Sequence, residues 1–274
     1  MSSMASSARR AADRAGDSTV VHALARGGFV GYGLLHLAVA WLTLQIALGH
    51  SSGETDQSGA FQLMVRQPFG RVLVWIIVVG LCGMALWQLL AAATGYRDER
   101  GTRKVFERIG AAGRTVIYAA LAWDAAKVAA GSPTSSAGQQ RQTTAGVLAH
   151  TSGRVLVALA GVAVLGGGIG LIVFGAKRAF AKRLDTGRMG PGTRTAATVS
   201  GMLGYLAKGV GYGIAGGLLF VAAVHRDPKK SGGLDAALHS LAGKPYGQVL
   251  LIVIAIGFAA FGVYCFFQSR YRDV

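Results

Sequence analysis

Six runs of mostly apolar residues constrain the fold of this chain more than any other feature. A helical run of about 20 such residues matches the hydrocarbon thickness of a bilayer. The runs lack the alternation of polar and apolar residues that is typical of barrel strands. Only 15% of the 274 residues are charged, against about 25% in soluble domains. The sequence therefore predicts an all-α, polytopic membrane protein with six transmembrane helices, near residues 28–49, 72–94, 109–130, 154–176, 202–225 and 248–269.

An internal repeat relates these helices in pairs. The first helix of each pair carries the aligned patterns Gly28-x-x-Gly31-Tyr32-x-x-x-His36, Gly110-x-x-Gly113-Arg114-x-x-x-Tyr118 and Gly204-x-x-Ala207-Lys208-x-x-x-Tyr212. The second helix follows the aligned turns Gln67-Pro68-Phe69-Gly70, His150-Thr151-Ser152-Gly153 and Lys244-Pro245-Tyr246-Gly247. Each unit crosses the membrane twice, so the three copies share one orientation. We expect parallel repeats around an axis along the membrane normal.

The repeats divide the chain into five segments. Residues 1–23 are predicted to be a polar cytoplasmic tail, 24–96 repeat 1 and 97–183 repeat 2. Residues 184–201 are predicted to be a basic cytoplasmic linker, and 202–274 repeat 3. Apolar and polar residues mix at helical spacing within the loop of each unit. This pattern predicts short interfacial helices on the outer membrane surface at residues 60–66, 144–149 and 234–241.

With these features the chain resembles the bacterial domain of unknown function 1206. The resemblance rests on the three tandem two-helix units and on the turns "QPFGR" and "KPYGQ", and it runs from about Leu24 to Arg270. The middle copy departs from the pattern, because it has "HTSGR" where the others have proline and an aromatic residue. The resemblance implies a multi-pass bacterial membrane protein. It brings no catalytic residues to this sequence.

The distribution of basic residues predicts the orientation. Seventeen of the 28 lysines and arginines lie in the N-terminal segment, the loops around 97–108 and 177–194, and the C-terminus, whereas eight lie in the alternate loops. By the positive-inside rule both termini are then cytoplasmic, in a bacterial plasma (inner) membrane. The first apolar run is long enough to be an uncleaved signal anchor. The basic surface is predicted to meet anionic lipid headgroups and no nucleic acid.

The sequence motifs that could indicate catalysis or cofactor binding are weak. Gly211-Tyr-Gly213-Ile-Ala-Gly216 matches the dinucleotide fingerprint as a string, but it lies inside an apolar helix and follows no strand. Gly49-His-Ser51-Ser-Gly53 resembles a nucleophile elbow, but it follows a membrane helix. No metal-ligand spacing is present. We therefore expect a protein that is not an enzyme and has no catalytic residue, cofactor or metal site.

Polar residues within the predicted helices are the strongest candidates for a site, because such residues are costly in lipid. His36, Tyr118 and Tyr212 are equivalent in the repeat, so they are expected to lie at one depth and to point into the protein. They either line one shared site or each hold their own hairpin together. Asp124 and Lys127 are three residues apart and can form an ion pair, which is either a neutralised pair or part of a relay.

Two further expectations concern helix packing and helix ends. Gly209, Gly213 and Gly217 form a stripe of small residues that allows another helix to approach closely. Arg114 and Lys208 lie near the cytoplasmic ends of their helices and are expected to extend to the headgroups.

Two classes of function remain open from the sequence. The first is a non-enzymatic membrane scaffold or accessory subunit that associates with other membrane proteins. The second is a transporter or channel for a small solute or ion. Because ionisable residues near mid-helix occur in only one repeat, the sequence favours the first.

Overall fold

The computed structural model describes residues 19–50, 53–94, 101–132 and 135–272. Apart from one isolated β-bridge between Leu184 and Arg272, the regular structure of these residues is helical. They form six long helices, three short helices and three 3-10 turns. The α-helices are α1 Thr19–Ala47, α2 Gln57–Val65, α3 Gly70–Thr94, α4 Gly101–Ala129, α5 Ser136–Leu148, α6 Thr151–Ala176, α7 Pro191–His225, α8 Gly233–Ala242 and α9 Gly247–Tyr271.

Five of the long helices, all except α4, are long and apolar enough to cross a membrane. Helix α4 has the length of a spanning helix, but charged residues lower its mean hydropathy; among them are Lys104, Glu107, Arg114, Asp124 and Lys127. The prediction of an all-α polytopic membrane protein is confirmed, and the sixth crossing stays a prediction.

Several helices begin earlier than the apolar runs suggested. Helix α1 begins at Thr19, α4 at Gly101 and α7 at Pro191, because amphipathic turns precede each apolar core. The predicted linker at 184–201 is therefore partly wrong, since its last eleven residues are helical. Proline at the first position of α7 favours this start, and Ala197, Ser200 and Gly201 are buried there. The predicted tail at 1–23 lies mostly outside the described residues.

The long helices pack in the order α4–α3–α1–α9–α7–α6. Within repeats 1 and 3 the two long helices touch each other, but α4 and α6 of repeat 2 share no comparable interface. The ring of helices is thus open between α4 and α6, and we call this gap the α4–α6 opening. Where α3 and α9 carry Met84 and Phe261, which are buried, the aligned residue of α6 is Gly167.

Glycines hold α6 against α7. A Cβ atom on Gly168 would lie 2.6 Å from the amide nitrogen of Gly213 and 2.7 Å from the carbonyl oxygen of Gly209. The predicted close approach at these two glycines therefore has α6 as its partner. The prediction for Gly217 is wrong, because no atom of the described residues lies within 4 Å of a Cβ placed there. Gly216 makes the contact instead, against Leu165 and Gly161.

The turn into the second helix of each repeat explains its shared glycine. A Cβ atom on Gly70, Gly153 or Gly247 would overlap the carbonyl oxygen of Met64, Val147 or Leu241, respectively, near the end of the short helix. In repeats 1 and 3 the preceding residues, Phe69 and Tyr246, have left-handed backbone angles (φ 60° and 62°). Their side chains are 87% and 84% exposed.

The short helices α2, α5 and α8 lie together at one end of the molecule. We call this end the short-helix end (residues 53–69, 135–150 and 226–246), and the opposite end the basic end (residues 101–108, 177–190 and 270–272). The carboxylate of Asp56 caps α2 by accepting from the amides of Ser58 and Gly59 at 2.8 and 3.1 Å.

One carboxylate connects the three repeats at the short-helix end. Asp235 of α8 accepts the amide of Thr55 at 2.9 Å, and it pairs with Arg141 of α5 at 3.5 Å and with His239 at 3.1 Å. Thr55 belongs to repeat 1, Arg141 to repeat 2, and Asp235 and His239 to repeat 3. The contacts of Asp235 therefore link all three units at this end.

Candidate functional site

A cluster of aromatic and polar side chains fills the centre of the helix ring. Its first layer comes from the aligned positions Tyr32 of α1, Arg114 of α4 and Lys208 of α7. The next layer, one helical turn further, holds the predicted residues His36, Tyr118 and Tyr212. Helix α9 adds Phe261 and Cys265. The repeat alignment thus places equivalent residues of three units around one centre.

Lys208 is the midpoint of α7 and is only 7% exposed. Its Nζ atom donates to the hydroxyl of Tyr32 at 3.0 Å and lies 4.0 Å from the centroid of the Phe261 ring. The rings of Tyr32 and Tyr212 follow at 5.1 and 6.0 Å. Among the described residues no carboxylate is paired with this amine. Lys208 is therefore a buried cation held by aromatic rings and one hydroxyl.

The opposing energies at Lys208 are of similar size. A lysine ammonium within the bilayer costs about 2.5–3.5 kcal/mol on insertion scales, and a desolvated cation–π contact contributes about 2 kcal/mol. Only the Phe261 ring is at an optimal distance. The expectation that Lys208 extends to the headgroups is wrong, because its side chain reaches the centre of the ring of helices instead. We call the rings of Tyr32, Tyr212 and Phe261 around the Lys208 amine its aromatic cage. The alignment of Lys208 with Tyr32 is the sequence signal for this cage.

His36 packs beside this cage and is 3% exposed. Its Nδ1 atom lies 2.8 Å from the carbonyl oxygen of Tyr32, one turn earlier in α1. A carbonyl only accepts, so Nδ1 carries a proton and Nε2 is the site of the lone pair when the ring is neutral. The ring packs 4.4 Å from Tyr32 and 4.6 Å from Phe261, centroid to centroid. The hydrogen bond of His36 is thus within its own helix.

Tyr118 and Tyr212 reach the same group of residues from other helices. The Tyr118 ring is buried and lies 5.7 Å from the Tyr32 ring. Tyr212 is half-buried, contacts Lys208 and is hydrogen bonded to Gln57 of α2. The structure therefore brings His36, Tyr118 and Tyr212 together through Tyr32 and Lys208, in one cluster and not in three separate hairpin contacts. Tyr32, the residue that joins them, was not among the predicted site residues.

Arg114 is held within the protein. Its Nε atom donates to the side-chain oxygen of Gln88 at 3.1 Å, and Gln88 is buried in α3. This bond joins repeat 2 to repeat 1 and differs from the expected path to the headgroups. The sequence signal that could have indicated this bond is Gln88, a polar amide within the apolar second helix of repeat 1.

Asp124 and Lys127 form an ion pair in the last turns of α4, with Nζ 3.4 Å from Oδ1. Asp124 also accepts from the hydroxyl of Ser136 at 3.3 Å, and Lys127 lies 5.9 Å from the centroid of Trp123. Both side chains are about a quarter exposed and lie near the short-helix end. Their geometry is that of a neutralised pair, and they do not join the central cluster.

A cavity of about 290 Å³ lies between the short-helix end and the central cluster. Its polar lining includes Asp56, Gln57, Ser136, Gln140 and Tyr212, and Val164 of α6 closes one side. Tyr212 is therefore shared between this cavity and the cage of Lys208. The cavity could admit a small polar molecule or water. Among the described residues no group of three histidine, cysteine or acidic side chains is placed to hold a metal.

Burial controls the protonation of Asp56. It raises the pKa of the Asp56 carboxyl to about 7, against the opposing effect of its hydrogen bonds from Gly59 and Ser58. Glu54 and Asp235, both acidic, raise it further. Because its pKa is about 7, this carboxyl can exchange a proton near neutral pH.

Asp235 behaves differently from Asp56. Burial opposes its ionisation, but the hydrogen bonds from His239 and the Thr55 amide outweigh burial, so the pKa of Asp235 is below its ordinary value. The same hydrogen bond raises the pKa of His239. The pair is therefore a charged contact over a wider pH range than either group alone would allow.

These features define an all-helical polytopic membrane protein built from three two-helix repeats around a polar and aromatic centre. A family model described as Domain of Unknown Function (DUF1206) matches residues 27–95, 109–178 and 203–272, and the chain belongs to this family. The three matches confirm the predicted repeat.

One relative comes from Bacillus subtilis (strain 168). It carries the name "Uncharacterized protein YxxB" and is 29% identical over 251 residues, which cover 91% of this chain and 90% of the relative. No solved structure matches the chain.

Proposed function

We propose that the protein is a non-enzymatic accessory subunit, or scaffold, of a larger membrane assembly. A transmembrane helix of a partner protein docks on the free face of α6, beside the α4–α6 opening. The observation that carries this proposal is the isolation of α6, whose long-helix contacts are almost all with α7. In the most apolar window of α6 only 17% of the residues are buried, against 44–61% in the four other apolar helices.

The free face of α6 indicates the chemistry of the partner. Gly166 and Gly170 are one turn apart, and no described atom lies within 4 Å of a Cβ placed on either. Small residues at this spacing allow two helix backbones to approach closely in lipid. The interface of α6 with α7 already uses this mode of packing at Gly168 and Gly209. A partner helix with its own stripe of small residues fits this face.

Photo-crosslinking in native membranes tests the proposal. A photoreactive residue at Val162, one turn before Gly166, should give a discrete adduct with another membrane protein. The same residue at Val79 of α3 is a matched control, because both valines are exposed to a similar extent (52% and 54%), and it should label lipid only. The double substitution Gly166→Leu and Gly170→Leu should abolish the Val162 adduct. Equal labelling at both sites, or an adduct between two copies of this chain, contradicts the proposal.

A small-solute or ion transporter is the second candidate. It is supported by the polar cavity that reaches Tyr212 and by the buried amine of Lys208, which lies 6.0 Å from the centroid of the same ring. A transporter needs a polar site inside the membrane. This candidate differs from the first in that its activity would persist in pure lipid vesicles without any other protein.

We further propose that the protein lies in a bacterial plasma membrane with its basic end, and thus both termini, in the cytoplasm. The support is the excess of lysine and arginine at that end, which attracts anionic headgroups. In a chain with both native cysteines replaced, an impermeant thiol reagent on intact cells should label Lys229→Cys at the short-helix end. It should label Arg188→Cys only after the cells are permeabilised. The opposite pattern contradicts this orientation.

A further inference from the structure

We propose that Lys208 is a reversible proton-binding site inside the helix bundle, and that it exchanges its proton with Asp56 through the cavity beside Tyr212. The inference starts from the surroundings of Lys208. Its amine is buried, its one hydrogen-bond partner among the described residues is the Tyr32 hydroxyl, and no described carboxylate is paired with it. Burial without a counter-ion favours the uncharged form of an amine, whereas the aromatic rings favour the charged form.

Tyr32 can serve both forms of the lysine. A hydroxyl accepts from an ammonium group and donates to a neutral amine. The contact between Tyr32 Oη and Lys208 Nζ at 3.0 Å therefore persists when the proton leaves, with its direction reversed. The cage does not have to rearrange for the lysine to change charge.

Tyr212 links Lys208 to an acid. Its ring lies 6.0 Å from Nζ, its hydroxyl is hydrogen bonded to Gln57, and the carboxyl of Asp56 is close enough to act on it electrostatically. Tyr212 and Asp56 line the same cavity. Both Lys208 and Asp56 are almost fully buried, so transfer of one proton between them would remove two buried charges at once.

The proton step is simple. An Nζ–H bond of the Lys208 ammonium breaks, and its electron pair stays on the nitrogen. A water molecule that reaches Nζ from the cavity accepts the proton and passes it on beside Tyr212. An O–H bond then forms on the Asp56 carboxylate. The result is a neutral amine and a neutral carboxylic acid, and the total charge is unchanged.

Other groups surround the two ends of this path. Lys208 faces Tyr32 and His36 of α1, Tyr212 of its own helix, and Phe261 and Cys265 of α9. Asp56 faces Glu54 in the preceding loop and Asp235 of α8. The negative charges near Asp56 help it to accept a proton, and none of the groups named around Lys208 is a carboxylic acid.

Difference titration of the purified chain in detergent tests the inference. Between pH 5 and pH 9 the wild type should release about one proton more per chain than Lys208→Met. Lys208→Arg, which keeps the charge but cannot lose it, should also release one proton fewer than the wild type. Lys229→Arg is the control at an exposed lysine, and it should match the wild type. Thermal unfolding and size-exclusion profiles identify the variants that fold, and one folded Lys208 variant is sufficient.

The link to Asp56 has its own test. Asp56→Asn keeps the helix cap, because asparagine caps as well as aspartate. It should release one proton fewer near neutral pH. If the two groups exchange a proton, it should also move the release from Lys208 to lower pH, because the carboxylate that is paired with the ammonium across the cavity is lost. If folded Lys208 variants titrate like the wild type, Lys208 is a fixed structural group and the inference is wrong. If Asp56→Asn leaves the Lys208 release unmoved, the exchange between them is excluded. Neither result depends on the partner proposed for α6.

Discussion

Replacing Asp235 with alanine is expected to lower the free energy of unfolding by about 2–4 kcal/mol. Loss of one partner from a buried, hydrogen-bonded ion pair typically costs 3–5 kcal/mol, and the partial exposure of Arg141 reduces this figure. The amide of Thr55 also loses its acceptor. Because Asp235 joins all three repeats, the loss should loosen the whole short-helix end. Denaturant unfolding in detergent, followed by circular dichroism, measures the effect.

The basic end offers a matched control for this prediction. Asp185 forms an ion pair with Arg188 at 3.9 Å, and both side chains are substantially exposed. Exposed pairs contribute about 0–1 kcal/mol, so Asp185→Ala should change stability little. Asp235→Asn keeps one acceptor oxygen for Thr55 and should fall between alanine and the wild type. If Asp235→Ala is no worse than Asp185→Ala, Asp235 does not hold the repeats together.

Alanine at Gly70, Gly153 or Gly247 is expected to destabilise the protein by about 2–4 kcal/mol at each position. The added Cβ atom overlaps a carbonyl oxygen of the preceding short helix, and backbone cannot move aside as a flexible side chain can. Overpacking of this kind costs about 1–3 kcal/mol and occasionally more. The three substitutions should have similar effects, because the same contact recurs in all three repeats. Thermal unfolding of the three variants in one detergent checks this.

Gly217 is the control for these glycines. It lies within α7 with open space around it, so Gly217→Ala should be neutral, or stabilising by up to about 1 kcal/mol because alanine is the better helix former. A large loss of stability at Gly217, or none at the three turn glycines, would contradict the packing described here.

Much of the architecture was predictable from local sequence. Long apolar runs predicted the spanning helices, and the aligned glycines of the turns predicted the repeats. The positions of the short helices followed from helical spacing in the loops, although α5 is longer than the predicted 144–149. These features depend on residues near one another in the chain, and for this reason one sequence was sufficient.

Features that depend on contacts between distant segments could not be predicted in the same way. A glycine stripe shows that a helix can pack closely, but the face that makes the contact depends on the partner helix. The sequence therefore predicted Gly217, whereas the contact is made by Gly216. The destination of the Lys208 side chain depends on Tyr32 of repeat 1 and on Phe261, which lies in the second long helix of repeat 3. The α4–α6 opening depends on how helices far apart in the chain pack against each other, and no local pattern in the sequence predicts it.

The exposed turns at Phe69 and Tyr246 have a consequence for the vertical position of the helices in the bilayer. An aromatic side chain at the boundary between lipid and water resists movement along the membrane normal. Helices α3 and α9 each begin beside such an anchor, whereas α6 begins beside His150 and Ser152 and has no aromatic residue at its turn. Thinning or thickening of the bilayer should therefore shift or tilt α6 more than its two counterparts. The width of the α4–α6 opening then depends on bilayer thickness.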